Sequence, residues 1–240
     1  MTNLSASTRR FFETMSRLTY FQNWPTDILD RLAAGTKLVT LGKNDSLAQK
    51  GSQLEHLYVM VSGMVRLFIP LPNACERVVA LVGPGESLGE ACLVLNEACP
   101  FNVVAGRPSH LLAIDAHLFR RELNQNHELA KQTMELIARR HLEALRDAEI
   151  CAQRSSLNRV ACFLLQQQPD TSAQRYDFDL PARKQDIAAK LGLTQETFSR
   201  MLGFLQKQGF IRVEGSHIHV EDGSALNGLG TMREAKESVQ

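Results

Sequence analysis

The chain has 240 residues, enough for one large domain or two ordinary ones. Its 44% hydrophobic content and its near balance of 27 basic against 26 acidic residues exclude a disordered chain. A net charge of +1 leaves nucleic-acid binding open, because only the local field at a contact face matters. No run approaches the roughly 18 apolar residues that span a bilayer. The N-terminal stretch MTNLSASTRRFFETMSRL has no apolar segment of the secretory type, so a cytoplasmic location without a membrane partner is expected. The cysteines are Cys75, Cys92, Cys99, Cys151 and Cys162, an odd set without CxxC spacing. That argues against a disulfide framework and against a zinc finger.

In chain order, a helix is expected near Pro25 to Ala34, where Ile28, Leu29 and Leu32 recur at helical spacing. Short apolar runs broken by glycine follow. HLYVMVSGMVRLFIP reads as two strands in a hairpin around Ser62-Gly63. RVVALVGPGESLGE is a buried-looking run that ends in a Gly-Pro-Gly turn. FNVVAGRPSHLLAIDA gives two more runs around Gly106-Arg107-Pro108. Strands at this spacing predict a β-barrel or β-roll.

The character changes after Asp115. From about Asn126 to Cys151 there is neither glycine nor proline, and the residues are good helix formers. Met134, Ile137, His141, Leu145 and Ala148 form one stripe, and Leu129, Leu136 and Leu142 partly populate a second. A long helix with two apolar stripes must bury itself against more than one surface. A dimer helix that also touches the β-region satisfies this, and so does a helix internal to one domain. A further helix is expected from near Ser155, a plausible N-cap. The polar stretch QPDTSAQRYDFDLP reads as a connection, and the residues after Asp222 as a loosely held tail.

The segment KQDIAAKLGLTQETFSRMLGFLQKQG holds two short helices joined by a tight turn at Gly192. Thr194 stands where the second helix needs an N-cap, and Gly209 stops it. Ile187, Ala188, Leu191, Phe198, Met201, Leu202 and Leu205 face inward. FIRV-EGS-HIHV then reads as a β-hairpin, which makes the unit a winged helix-turn-helix. Glu196, Ser199 and Arg200 share the outer face of the second helix at i, i+3 and i+4, near its N-terminus. In a major groove such an Arg donates twice to guanine, Glu accepts from cytosine and Ser serves either. Thr194, Gln195, Thr197 and Lys184 are placed to contact phosphates, with Arg183, Lys190, Lys207 and Arg212 adding positive charge. An ordinary helical hairpin with a Glu–Arg surface pair is the alternative reading.

The order of β-roll, long helix and winged helix resembles the CRP/FNR family of bacterial transcription regulators. The resemblance covers about residues 20–222 and rests on KGSQLEHLYVMVSGMVRLF, GPGESLGE and LGLTQETFSRMLGFLQKQGFI. It implies an α+β chain. Residues 1–125 would form an effector-sensing β-roll of the cyclic-nucleotide-binding jelly-roll type. Residues 126–153 would form a long dimerisation helix and hinge, residues 154–222 the winged-helix DNA-binding domain, and residues 223–240 a flexible tail. It further implies a homodimer on a palindromic double-stranded operator, an effector between roll and helix, and RNA polymerase as a partner. Glu196-Thr197-Phe198-Ser199-Arg200 resembles the FNR branch, which reads TTGAT half-sites.

The resemblance also frames the effector. Cyclic-AMP sensors of the family carry Gly-Glu and, about ten residues later, Arg-Ser or Arg-Thr. Here Gly89-Glu90 stands, but the second position reads Pro100-Phe101. A buried phosphate would lack its counter-charge, so cyclic AMP is not expected. No cysteine precedes Cys75, so an N-terminal iron–sulfur cluster is not expected either. LGEACLVLNEACPFNVVA and QETFSRML resemble the DNR/NNR-like, nitric-oxide-responsive branch thought to use haem. His141, on an apolar stripe of the long helix, is the candidate axial ligand facing the effector pocket, or else a dimer-interface histidine. With Gly89, Glu90, Pro100 and Phe101 it makes up the expected pocket. An organic effector or oxidation of Cys92 and Cys99 are the alternatives to a nitric oxide and haem sensor. No nucleophile–base pair or metal set shares an element, so an enzyme is not expected.

Overall fold

The computed structural model describes residues 6–70, 76–152, 155–170 and 173–231. Cys75 lies outside them, as do residues 232–240 of the expected tail. The chain divides into two compact units, one up to His141 and one from Leu142 onward.

The first unit opens with helices α1 (Ala6–Met15) and α2 (Thr26–Ala34), joined through a 3-10 turn at Thr19–Phe21. Strands β1 (Thr36–Leu41), β2 (Ser46–Ala48), β3 (His56–Pro70), β4 (Glu76–Val82), β5 (Ser87–Leu88) and β6 (Asn102–Asp115) form one antiparallel sheet. Its main order is β1-β6-β3-β4. Between β5 and β6 lies the short helix α3 (Glu90–Leu95), and α4 (Ala116–Gln125) follows β6. The expected roll is present, and its core holds Leu57, Val59, Met60, Val65, Leu111 and Ile114.

The expected hairpin around Ser62-Gly63 is not there. β3 is one continuous strand, and so is β6, and they pair from His56↔Asp115 to Phe68↔Asn102. Both pass the point read as a turn at the same level, with register shifts between Met60 and Val65. The two strands therefore bend together, as bulges allow. Gly63 has φ +90, and a Cβ there would lie 2.5 Å from both the Pro108 carbonyl oxygen and the Ser109 Cα. The glycine thus marks a close strand crossing. Ser109 bridges the bend, its hydroxyl accepting from the Met64 amide at 3.0 Å.

The helix α5 runs from His127 to Ala152, as the lack of glycine and proline predicts. Its first half buries Leu129 and Thr133 in the first unit, while Ile150 joins the core of the second. That second core is built by α6 (Ser156–Gln166), β7 (Tyr176–Asp179), α7 (Lys184–Lys190), α8 (Gln195–Lys207), β8 (Ile211–Glu214), β9 (His217–Val220) and α9 (Gly223–Thr231).

Two expectations for this unit change. The polar connection contains β7, which adds to the wing so that the sheet order is β7-β9-β8. Its period is readable only once β9 is there to pair with, because four residues carry a weak strand signal. The loose tail instead starts as α9, whose Leu226 is fully buried in the core. That one leucine anchors a helix too rich in glycine and small residues to announce itself.

Candidate nucleic-acid interface and effector pocket

The helix pair is built as its punctuation predicts. α7 ends at Lys190 with Leu191 as its C-cap, Gly192 takes φ +66, and Thr194 caps α8. The Thr194 hydroxyl accepts from the Thr197 amide at 3.2 Å and lies 3.0 Å from the Thr197 hydroxyl. A cap of this kind is worth about 1 kcal/mol. Phe198, Leu202 and Leu205 are buried beneath, so α8 is held rigidly from below. Arg159 of α6 steadies the turn, donating to the Leu191 carbonyl at 3.0 Å and the Gly192 carbonyl at 3.3 Å. No pattern in the sequence points to Arg159, because its partners are backbone carbonyls.

Glu196, Ser199 and Arg200 are all exposed on the outer face of α8. The ion pairs of the described residues include several at i,i+4, yet none joins Glu196 to Arg200. Thr194 and Thr197 spend their hydroxyls on each other and on the cap, while Gln195 is exposed at the first turn. There the amides that the helix ladder leaves open point outward. Several of the cations expected nearby are already engaged. Arg183 pairs with buried Asp186 at 3.0 Å, Lys190 with Asp147 at 2.9 Å and Arg212 with Glu214 at 3.5 Å. Lys184 and Lys207 have no such pairing among the described residues.

On the wing sheet, His217 of β9 sits between two carboxylates of β7. Its Nδ1 lies 3.0 Å from Asp179 and its Nε2 3.1 Å from Asp177. The hydrogen bond to Asp179 holds the imidazole above its usual range, and the two negative charges add to this. His219 stacks edge-on against it at 4.6 Å, and Glu214 faces His219. A raised histidine contributes stability in full below its unfolded pKa of about 6.5, and that contribution fades as pH rises through the folded value. The His217 ring is expected to titrate above 6.5 by NMR, and Asp179→Asn is expected to bring it down. A titration unmoved by Asp179→Asn would contradict the pairing.

In the first unit the expected pocket residues part company. Gly89, at φ +108, precedes α3 and delivers Glu90 into the interior, 1% exposed. Arg140 of α5 meets it there: one guanidinium nitrogen donates to Glu90 Oε2 at 2.8 Å. The other donates to the Ser87 carbonyl at 2.6 Å and the Ser87 hydroxyl at 3.2 Å. Tyr20 brings its hydroxyl to the same place. Burial holds that phenol well above its ordinary range, the Glu90 charge adds to it, and Arg140 and Ser87 oppose. The Tyr20 hydroxyl and Glu90 Oε1 are buried without a hydrogen-bond partner. The Tyr20 hydroxyl lies close to both Ser87 and Glu90, so a small hydrogen-bonding guest would compete with these contacts.

Three sequence expectations are corrected here. The pocket does have a guanidinium, supplied by α5 rather than by the strand, but Glu90 already neutralises it. Pro100, expected in the pocket, is exposed, and Phe101 packs against the hydrophobic core. His141 is exposed beside Met134, Leu142 and Leu145, because the residue one step earlier, Arg140, takes the inward position. A haem iron needs an imidazole, thiolate or similar ligand aimed into its slot. Around Glu90 stand a buried ion pair and a tyrosine, and His141 points away. The expected axial ligand is thus not aimed at the Glu90 site.

Comparison with known proteins places both halves. Residues 38–126 match the family model for a cyclic nucleotide-binding domain, and residues 158–229 match the one for a Crp-like helix-turn-helix domain. The two occur here in one chain, with a long helix between them. The chain is a transcription regulator of the CRP/FNR family. The cyclic AMP receptor protein of Thermus thermophilus is 29% identical over 177 residues, 74% of this chain and 80% of that protein. The anaerobic regulatory protein of Pasteurella multocida is 29% identical over 206 residues, 83% of this chain and 73% of that protein. FixK2 from Bradyrhizobium japonicum has the same fold, with a TM-score of 0.69 at 21% identity over 83% of this chain and 99% of its own. As a CRP/FNR regulator this chain binds DNA and is not an enzyme. Among the described residues no helix is long and apolar enough to cross a membrane.

Proposed function

We propose that this CRP/FNR regulator acts as an effector-gated homodimer on a palindromic TTGAT-N4-ATCAA-like site and works with RNA polymerase. The observation that carries the reading is the free outer face of α8, where Glu196, Ser199 and Arg200 are exposed on a capped, rigidly seated helix. Lys184, Gln195 and the open amides at the start of α8 hold phosphates on either side. An anaerobic type of regulation is the reading favoured by the likeness to the anaerobic regulatory protein of Pasteurella multocida.

Dimerisation is assigned to α5. Met134 is 64% exposed, Leu142 52% and Leu145 54%, an apolar stripe along one helix that a second copy would cover. Arg140 lies on the same helix and grips Glu90 in the first unit. A guest that takes over the contacts of the Tyr20 hydroxyl and Glu90 Oε1 therefore acts on the helix that holds the dimer. The guest we infer is small, polar and uncharged, because Arg140 is already neutralised.

Sedimentation tests the assembly. Leu145→Asp is expected to weaken self-association by about tenfold or more, ~1.4 kcal/mol, and to weaken binding to the palindrome with it. Unchanged self-association would move the interface off this stripe.

A further inference from the structure

Gly203 stands inside α8, where glycine is among the residues most costly to a helix. Nothing in the fold asks for it. Its φ is not positive, unlike that of Gly192 at φ +66 and Gly209 at φ +77. It is exposed, and a Cβ built on it would meet no atom within 4 Å. Gly63 is the contrast, because there a crossing strand fills the place a side chain would take. At Gly203 that place is open, while Leu202 and Leu205 are buried on the side that seats the helix.

The position on the helix is the second observation. Gly203 follows Ser199 at i+4 and Arg200 at i+3, so it lies on the same outer face. Lys207, at i+4 from Gly203, continues that face and is exposed. The reading face therefore carries side chains on its first turns and bare backbone on the turn after them.

We propose that at Gly203 the sugar-phosphate strand bordering the major groove lies directly against the α8 backbone. The inference rests on the reading of α8 given above and adds how deeply the helix sits. A major groove is about 12 Å wide and a helix with its side chains is about 10–12 Å across, so the fit leaves little slack. Glu196 and Ser199 have short side chains, and their reach to base edges depends on that depth. In this docking the N-terminal half of the helix contacts the bases, and the next turn passes the groove wall. A side chain there holds the helix out. Glycine lets it in, as it does wherever a ligand approaches a main chain. Looser binding, through the attraction of phosphates alone, does not need this depth.

The full chain tests this with Gly203→Ala and Gly203→Leu. Thermal unfolding reads the fold, and anisotropy titrations on TTGAT-N4-ATCAA and on an unrelated duplex of the same length read the contact. Gly203→Ala is expected to melt about 2–4 °C higher than the wild type, because alanine is the better helix former and its space is open. Binding to the palindrome is expected to weaken all the same, measurably in Gly203→Ala and at least about tenfold in Gly203→Leu. The unrelated duplex is expected to bind nearly as before. Unchanged affinity for the palindrome in either variant would overturn the inference. So would a Gly203→Ala that melts lower, since the glycine would then serve the fold. Arg200→Ala, measured alongside, keeps the two readings apart: lost discrimination there with Gly203→Leu unimpaired leaves base reading standing and removes the close approach.

Discussion

Arg200→Ala is expected to cost this regulator roughly 1–3 kcal/mol of base discrimination at each half-site, hence ~2–6 kcal/mol over a palindrome. The loss is expected at one base: the variant no longer distinguishes TTGAT from a half-site whose G is changed, while its affinity for unrelated DNA stays nearly the same. The reason is the division of labour on α8. Arg200 is exposed and unpaired by Glu196, so its guanidinium enters the groove without first breaking a bond. The phosphate contacts proposed for Lys184 and the helix start carry no sequence information, so they are expected to survive the change. Lys184→Ala is the opposite case, weakening all sequences alike and reducing the salt dependence. Anisotropy titrations on paired duplexes separate the two patterns. Equal discrimination in Arg200→Ala and the wild type would remove Arg200 from base reading.

The second large effect is in the first unit. Arg140→Ala strands the Glu90 carboxylate in the interior, where only Ser87 and the Tyr20 hydroxyl remain near it. Removing one partner of a buried pair costs about 3–5 kcal/mol, and the partial exposure of Arg140, 36% at its side chain, puts the expected loss at the lower end. Thermal unfolding followed by circular dichroism reads it. Glu90→Gln combined with Arg140→Met removes both charges and is expected to recover most of the loss. If the double variant is as unstable as Arg140→Ala, packing of the long arginine stem rather than its charge holds α5 to the roll.

Much of the DNA-reading unit was legible in the sequence because each of its features is local. Gly192, Thr194 and Gly209 each fix a backbone or cap requirement, and the apolar spacing of Phe198, Leu202 and Leu205 fixes which face is outside. The cluster around Glu90 was not legible, because its parts come from Tyr20, Ser87, Glu90 and Arg140, brought together by the roll and α5. One signal was available: a glutamate delivered inward by Gly89 needs a counter-charge, and with Pro100-Phe101 unable to supply it, the arginine had to come from another element. The helical stripe drew attention to His141 because it is on the apolar register. The inward register is one residue earlier.

The bent strands misled for a physical reason as well. Glycine and proline at Gly63, Gly106 and Pro108 are the residues of turns, and also those of a crossing where two strands approach too closely for a Cβ. Local sequence does not separate the two, whereas the pairing of β3 with β6 through the bend does. Leu226 shows the same limit at the other end of the chain, where a single buried side chain turns an expected tail into α9.

The outer face of α8 is expected to read a palindrome as a dimer. The most direct measurement is binding of the wild type to a labelled TTGAT-N4-ATCAA duplex, to the same duplex with one half-site scrambled, and to one with both scrambled, across a range of salt. Tight binding to the palindrome is expected, with a drop of at least about tenfold, ~1.4 kcal/mol, on losing one half-site. Affinity for all three is expected to fall steeply with salt, as counterion release requires. Equal affinity for the palindrome and the doubly scrambled duplex would contradict the account.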